Sequence, residues 1–228
     1  MKNSITAFAS PSRRELIIGF AAIAFFLAVG RFTRGSGFAW NGLALSATAV
    51  FFGIAAHRIR AVRALNVPAP TWFAGFASVA AAWSLALSAI ATASTWLSWR
   101  NNPWYTRYDP FVVNAGSAPF LDTDGEPYLV DDAGTTPWTW AITFLVFLVC
   151  FLMAAAIGAA LGTVTASWGA VTAIAGASLT VAGLLMATWG FGIGDGVAAP
   201  YPGVFIFGIP IAAVAAAIGW AGASRLEP

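Results

Sequence analysis

Hydrophobic positions in this chain run in long blocks. They lack the spacing of a water-facing helix and the strict alternation of a half-buried strand. Six blocks stand out, over 15–32, 38–56, 71–97, 138–161, 168–190 and 202–222, and none has an ionisable residue in its core. A membrane-crossing helix needs about 20 apolar residues at 1.5 Å each. The pattern therefore predicts an all-α polytopic bundle of six transmembrane helices, with 1–228 as a single transmembrane domain. The first block is short and the third is long enough to tilt. Between the fourth and fifth lie only six uncharged residues, 162–167. They are read as a turn; if they are helical, the count falls to five.

Tryptophan prefers the two bilayer interfaces, and nine of the eleven tryptophans fall near a proposed block end. Trp104 lies in a loop and Trp83 at mid-block. Trp168 favours the 162–167 turn, because it would otherwise lie deep in a continuous apolar run. Orientation follows from the bias of Lys and Arg toward the cytoplasm. Six spans with the N-terminus inside put seven basic residues inside and four outside. Seven of the nine acids then fall outside. Both termini are expected in the cytoplasm, in a multi-pass protein of a bacterial inner membrane. Arg13 and Arg14 before an apolar run resemble a signal sequence, but Gly30-Arg-Phe-Thr-Arg34 follows where small-residue cleavage chemistry should stand. An uncleaved first helix is expected.

Composition narrows the chemistry. Of 228 residues, 59% are hydrophobic and 9% charged, against about 25% charged in a soluble domain. A net charge of +2, without a Lys/Arg-rich run, gives no footing for nucleic acid. The single cysteine, Cys150, lies in an apolar block and has no partner for an internal disulfide. Ionisable residues inside a bilayer mark ion paths and proton relays, and the blocks offer none. No cluster at metal-ligand spacing and no Ser/His/Asp set is present. The expectation is a non-enzyme without cofactor or bound metal.

Two connecting segments carry the candidate sites. The outer loop, 98–137, is rich in aromatics, including Trp104, Tyr105 and Tyr108, and then turns acidic with Asp122 and Asp124. Asp124-Gly125 between apolar runs predicts a β-hairpin, weakened by Pro127. Its acids do not follow an EF-hand, because Gly125 is fourth from Asp122 where position six is needed. The loop is read as a cap over the helix ends, or as a gate or partner surface. The inner connector, 57–70, is basic. Ile59, Val62 and Leu65 recur at helical spacing among Arg58, Arg60 and Arg63, with His57 before them and Pro68 and Pro70 ending any helix. It reads either as ordinary positive charge against anionic lipid or as a short helix on the cytoplasmic face that docks a soluble partner.

Gly158-x-x-x-Gly162 gives the fourth block a small-residue face for close helix packing. Gly192-x-Gly-Asp-Gly196 follows a membrane block and lacks the Lys-Ser/Thr of a phosphate-binding loop. Pro210 is expected to kink the last helix.

The stretch from Phe52 to Gly75 is similar to the inner loop of the small permease subunits of bacterial ABC exporters, of the ABC-2-like kind. In that family a basic segment leads into the third helix through an aromatic-small-glycine entry. The stretch from Ile157 to Gly169 resembles the same family's fourth-to-fifth turn. Pro68-Ala-Pro70 stands where such permeases often carry paired arginines, and Ser167 where they often have Arg before Trp-Gly. The resemblance implies a permease that moves a peptide-like or lipophilic substrate. Its partners would be the bilayer, a separate cytoplasmic ATPase, and a second permease copy or a different membrane subunit. The alternatives are a substrate-binding subunit of an energy-coupling vitamin transporter and a non-transporting accessory subunit of a larger membrane complex.

Overall fold

A computed structural model of the chain describes residues 2–33, 37–101, 109, 111–113, 135–176, 178 and 203–226. Regular structure among these residues is helical throughout, with no strand. The helices are α1 (Lys2–Ala9), α2 (Arg13–Thr33), α3 (Gly37–His57), α4 (Ile59–Arg63), α5 (Ala69–Asn101), α6 (Pro137–Trp168) and α7 (Ile209–Arg225). Among the described residues four helical stretches are long and apolar enough to cross a membrane: Ala39–Arg63, Ala69–Asn101, Pro137–Trp168 and Val204–Arg225. The expected first span falls in α2, which is uncharged from Leu16 to Gly30. The expected fifth span, 168–190, lies mostly outside the described residues.

The start of α6 follows local chemistry. Thr136 and Thr139 form a reciprocal capping box, at 3.2 Å from the Thr139 N–H to the Thr136 hydroxyl and 2.8 Å in return. This satisfies two amides that a helix start leaves orphaned. Pro137 occupies the first position, where its missing N–H costs nothing.

The expected turn at 162–167 is overturned, because α6 runs through it to Trp168. No residue there breaks a helix. The Thr163 and Thr165 hydroxyls donate back to carbonyls one turn earlier, at 2.9 and 2.7 Å from Ala159 and Leu161. Two polar side chains are thereby accommodated inside an apolar helix. The helix ends at Gly169, whose φ of 93° suits glycine, and the backbone is helical again over 170–176. Trp168 is a helix-end tryptophan, as an interfacial position requires, but the helix ends there rather than at 161, where the sequence ended the fourth block.

Close backbone approach organises the centre. A Cβ on Gly158 would collide with the Ala49 carbonyl, and one on Gly162 with the Gly53 carbonyl. α3 and α6 therefore meet backbone to backbone, as small-residue faces permit. Around α5 the packing is aromatic. Phe8 of α1 sits with ring centroids 5.9 Å from Phe52, 5.4 Å from Trp72 and 5.6 Å from Phe76. Trp83 receives Phe20 and Phe52, both at 5.3 Å in edge-to-face contact. Mid-span Trp83 is thus a core residue, 6% exposed, rather than an interface marker. α7 is preceded by a π-helical turn, Val204–Gly208, just before Pro210. A proline without an N–H breaks the regular ladder at this point.

Candidate functional site: the two ends of the bundle

At one end lie α1, the start of α2, the connector 57–70 and the start of α5. The connector is folded. α4 is one helical turn, and Ile59 and Val62 are buried at 0% and 4% exposure. Leu65, expected on the same apolar face, is 77% exposed. The helix stops before it, at Arg63, and the chain turns through Asn66 at φ 57°, a conformation asparagine tolerates better than most residues. Arg63 closes the turn by donating to the Val67 carbonyl at 2.7 Å. Pro70 stands in the first turn of α5, where proline begins a helix more readily than it ends one.

Arg58 ties this connector to the elbow between α1 and α2. Its guanidinium donates to Glu15 at 2.5 Å and to the Pro11 carbonyl. Both charged side chains are more than a third exposed. Arg60 and His57 are exposed. Next to the tie is a cleft of about 630 Å³ lined by Ser10, Pro11, Arg13, Arg14, Ile17, Ile18 and the ion pair itself.

At the opposite end Asp109 and residues 111–113 are packed into the bundle. Asp109 is 1% exposed, although it lies in the loop of the sequence. The Asn41 amide of α3 donates to its two carboxyl oxygens at 3.1 and 3.3 Å, and the Phe111 N–H donates to one of them at 3.1 Å. The Val113 N–H donates to the Thr143 hydroxyl of α6 at 3.0 Å. Phe111 stacks on Phe147 with centroids 5.5 Å apart and planes 4° from parallel. Thr143 and Phe147 are six and ten residues into α6, roughly 9 and 15 Å along its axis. Non-helical backbone at such depth persists where protein covers it and answers its polar groups.

The buried face of α5 between these ends carries hydroxyls: Ser84, Ser88, Ser94, Thr95 and Ser98. Ser94 and Ser98 donate to carbonyls of their own helix at 3.0 Å. Ser84 and Ser88 are fully buried, and their hydroxyls have no hydrogen-bond partner among the described residues.

Of the residues singled out in the sequence, the structure brings Arg58, Ile59 and Val62 into one packed connector and places Gly158 and Gly162 against α3. Trp104, Tyr105, Tyr108, Asp122, Asp124 and the expected hairpin lie outside the described residues. Sequence reasoning missed Asn41, Asp109 and the α5 hydroxyls. The available signal was an Asp-Pro-aromatic-Val-Val run inside a polar loop, too apolar at its end for a solvated strand. Among the described residues no group of three or more His, Cys, Asp or Glu is placed to hold a metal. No protein-family model, no curated protein and no solved structure matches this chain.

Proposed function

We propose that this α-helical membrane protein is a permease subunit working with a separate cytoplasmic ATPase to move a peptide-like or lipophilic substrate. In this reading the break at Gly169 takes the place of the expected 162–167 turn, so that the count stays at six and both termini lie in the cytoplasm of a bacterial cell. The carrying observation is the folded connector. α4 sits between the second and third long helices, is buried through Ile59 and Val62, and is tied to α2 through Arg58 and Glu15. A push on it would move α2, α3 and α5 together, whereas a push on a slack loop would be lost. Arg60 is its exposed cation, free to meet an acidic partner surface. The resemblance of the Phe52–Gly75 stretch to the inner loop of ABC exporter permeases supports the same reading.

The test is purification in mild detergent from the native host, with ATP turnover measured on what accompanies the chain. A stoichiometric ATPase should co-purify, and Arg60→Glu should lower stimulated turnover to that of the ATPase alone without changing membrane insertion. Arg58 and Arg63 are poorer choices, since both hold the connector's own fold. Absence of any ATPase beside a defined set of other membrane subunits would replace this reading with the accessory-subunit one.

A further inference from the structure

We infer that the cleft at the α1–α2 elbow is a binding site for the headgroup of an anionic phospholipid. The cleft is amphipathic along the direction a lipid takes. Arg13 and Arg14, both exposed, line it together with Ser10. One turn further along α2 are Ile17 and Ile18, 57% and 54% exposed, at the head of the uncharged run that starts at Leu16. On the proposed six-span reading, in which α2 crosses the bilayer, arginines set where the apolar stretch begins lie at headgroup level, and the isoleucines lie at the depth of the first acyl carbons. The formal charge of the lining is +2, three arginines against the single carboxylate of Glu15, which is paired with Arg58 and also feels Arg14.

The fold makes the site distinct from general surface charge. The α1–α2 junction passes through the 3₁₀ turn Ser10–Ser12, and the Arg58 guanidinium is fastened to Pro11 and Glu15. These contacts form one wall of a shallow cleft of about 630 Å³, open to the surroundings along its length. A phosphate diester presents oxygens that guanidinium groups bind in paired hydrogen bonds. A zwitterionic lipid brings its own cation and loses much of that attraction. The site is independent of any ATPase and would operate in a permease or an accessory subunit alike.

The test uses the full chain in detergent. Phosphatidylglycerol or phosphatidylcholine is titrated in, and bound lipid is counted by native mass spectrometry. Two guanidinium groups facing one phosphate should give a preference for phosphatidylglycerol on the order of tenfold. Arg13→Gln with Arg14→Gln should abolish that preference and leave phosphatidylcholine binding unchanged. Arg13→Lys with Arg14→Lys should keep part of it. Ile17→Ser with Ile18→Ser should weaken both lipids. Circular dichroism confirms that each variant is folded. An unchanged preference in the Gln pair would overturn the site. Equal displacement by millimolar glycerol phosphate would also overturn it, since the site would then take a free phosphate without acyl chains.

Discussion

The two ends of the bundle solve the same problem, fastening a short connecting segment to long apolar helices, with opposite chemistry. At the connector end the polar tie is an ion pair, Arg58 with Glu15, open to solvent on both sides. At the loop end it is a buried carboxyl, Asp109, held by the neutral amide of Asn41 and by backbone. An exposed pair gains little, because water competes for both charges and salt screens them. A buried polar group has no such alternative, and losing its partner costs the full desolvation penalty. The connector should therefore depend on its buried Ile59 and Val62 more than on its charges, whereas Asp109 and residues 111–113 should depend on their hydrogen bonds.

The largest expected effect breaks that contrast at its buried side. Asn41→Leu keeps the side-chain volume and removes the amide donors from Asp109. Hydrogen bonds between transmembrane helices average about 0.6 kcal/mol. Here the acceptor is a buried carboxyl, and a loss of about 1.5–3 kcal/mol is expected, read as a lowered midpoint in thermal unfolding in detergent. Adding Asp109→Leu should cost less than the two single changes combined. The coupling should be about 0.5–3 kcal/mol, as for groups in direct contact. Additive effects would mean that the contact contributes nothing to stability.

The sequence shows clearly why one end was legible and the other was not. Ile59, Val62 and the arginines occupy a short connector between two apolar blocks, so local spacing was enough to place them. Asp109 and Asn41 are 68 positions apart, and only the fold brings them together. Asp109 was counted among outer-loop acids because position along the chain says nothing about a segment that folds back into the bundle. The α5 hydroxyls were hidden differently. Ser84, Ser88 and Thr95 are dispersed among alanines, so the block reads as apolar, while helical spacing gathers them on one buried face. The long helices were legible because bilayer length forces long apolar runs. The turn expected at 162–167 failed because small polar residues there end nothing when their hydroxyls bond to their own helix.

A smaller effect sharpens the exposed side of the comparison. Arg58→Ala removes the ion pair and the Pro11 contact but leaves Ile59 and Val62 buried. The unfolding midpoint should fall by less than in Asn41→Leu. The difference from the parent chain should shrink as salt approaches 1 M, where the screening length is about 3 Å. The Asn41→Leu effect should not respond to salt, because water and ions do not reach Asp109. A salt-independent loss at Arg58 as large as that at Asn41 would remove the distinction between the two ends.

The smallest effect is expected at Leu65, and it separates the connector's own stability from its use. Helical spacing put Leu65 on one apolar face with Ile59 and Val62, but α4 ends at Arg63 and Leu65 projects from the following turn at 77% exposure. Exposed side chains away from caps and buried partners usually change stability by no more than about 0.5 kcal/mol. Leu65→Ser should accordingly leave the unfolding midpoint of the isolated chain unchanged. A marked drop would mean that α4 extends past Arg63 and buries Leu65, contrary to the turn at Asn66. If the chain alone is unaffected while the same substitution weakens its complex with an ATPase, then Leu65 stays exposed in the free chain in order to be covered by a partner. The connector would then divide its work by residue, with Ile59 and Val62 facing the bundle and Leu65 and Arg60 facing what docks upon it.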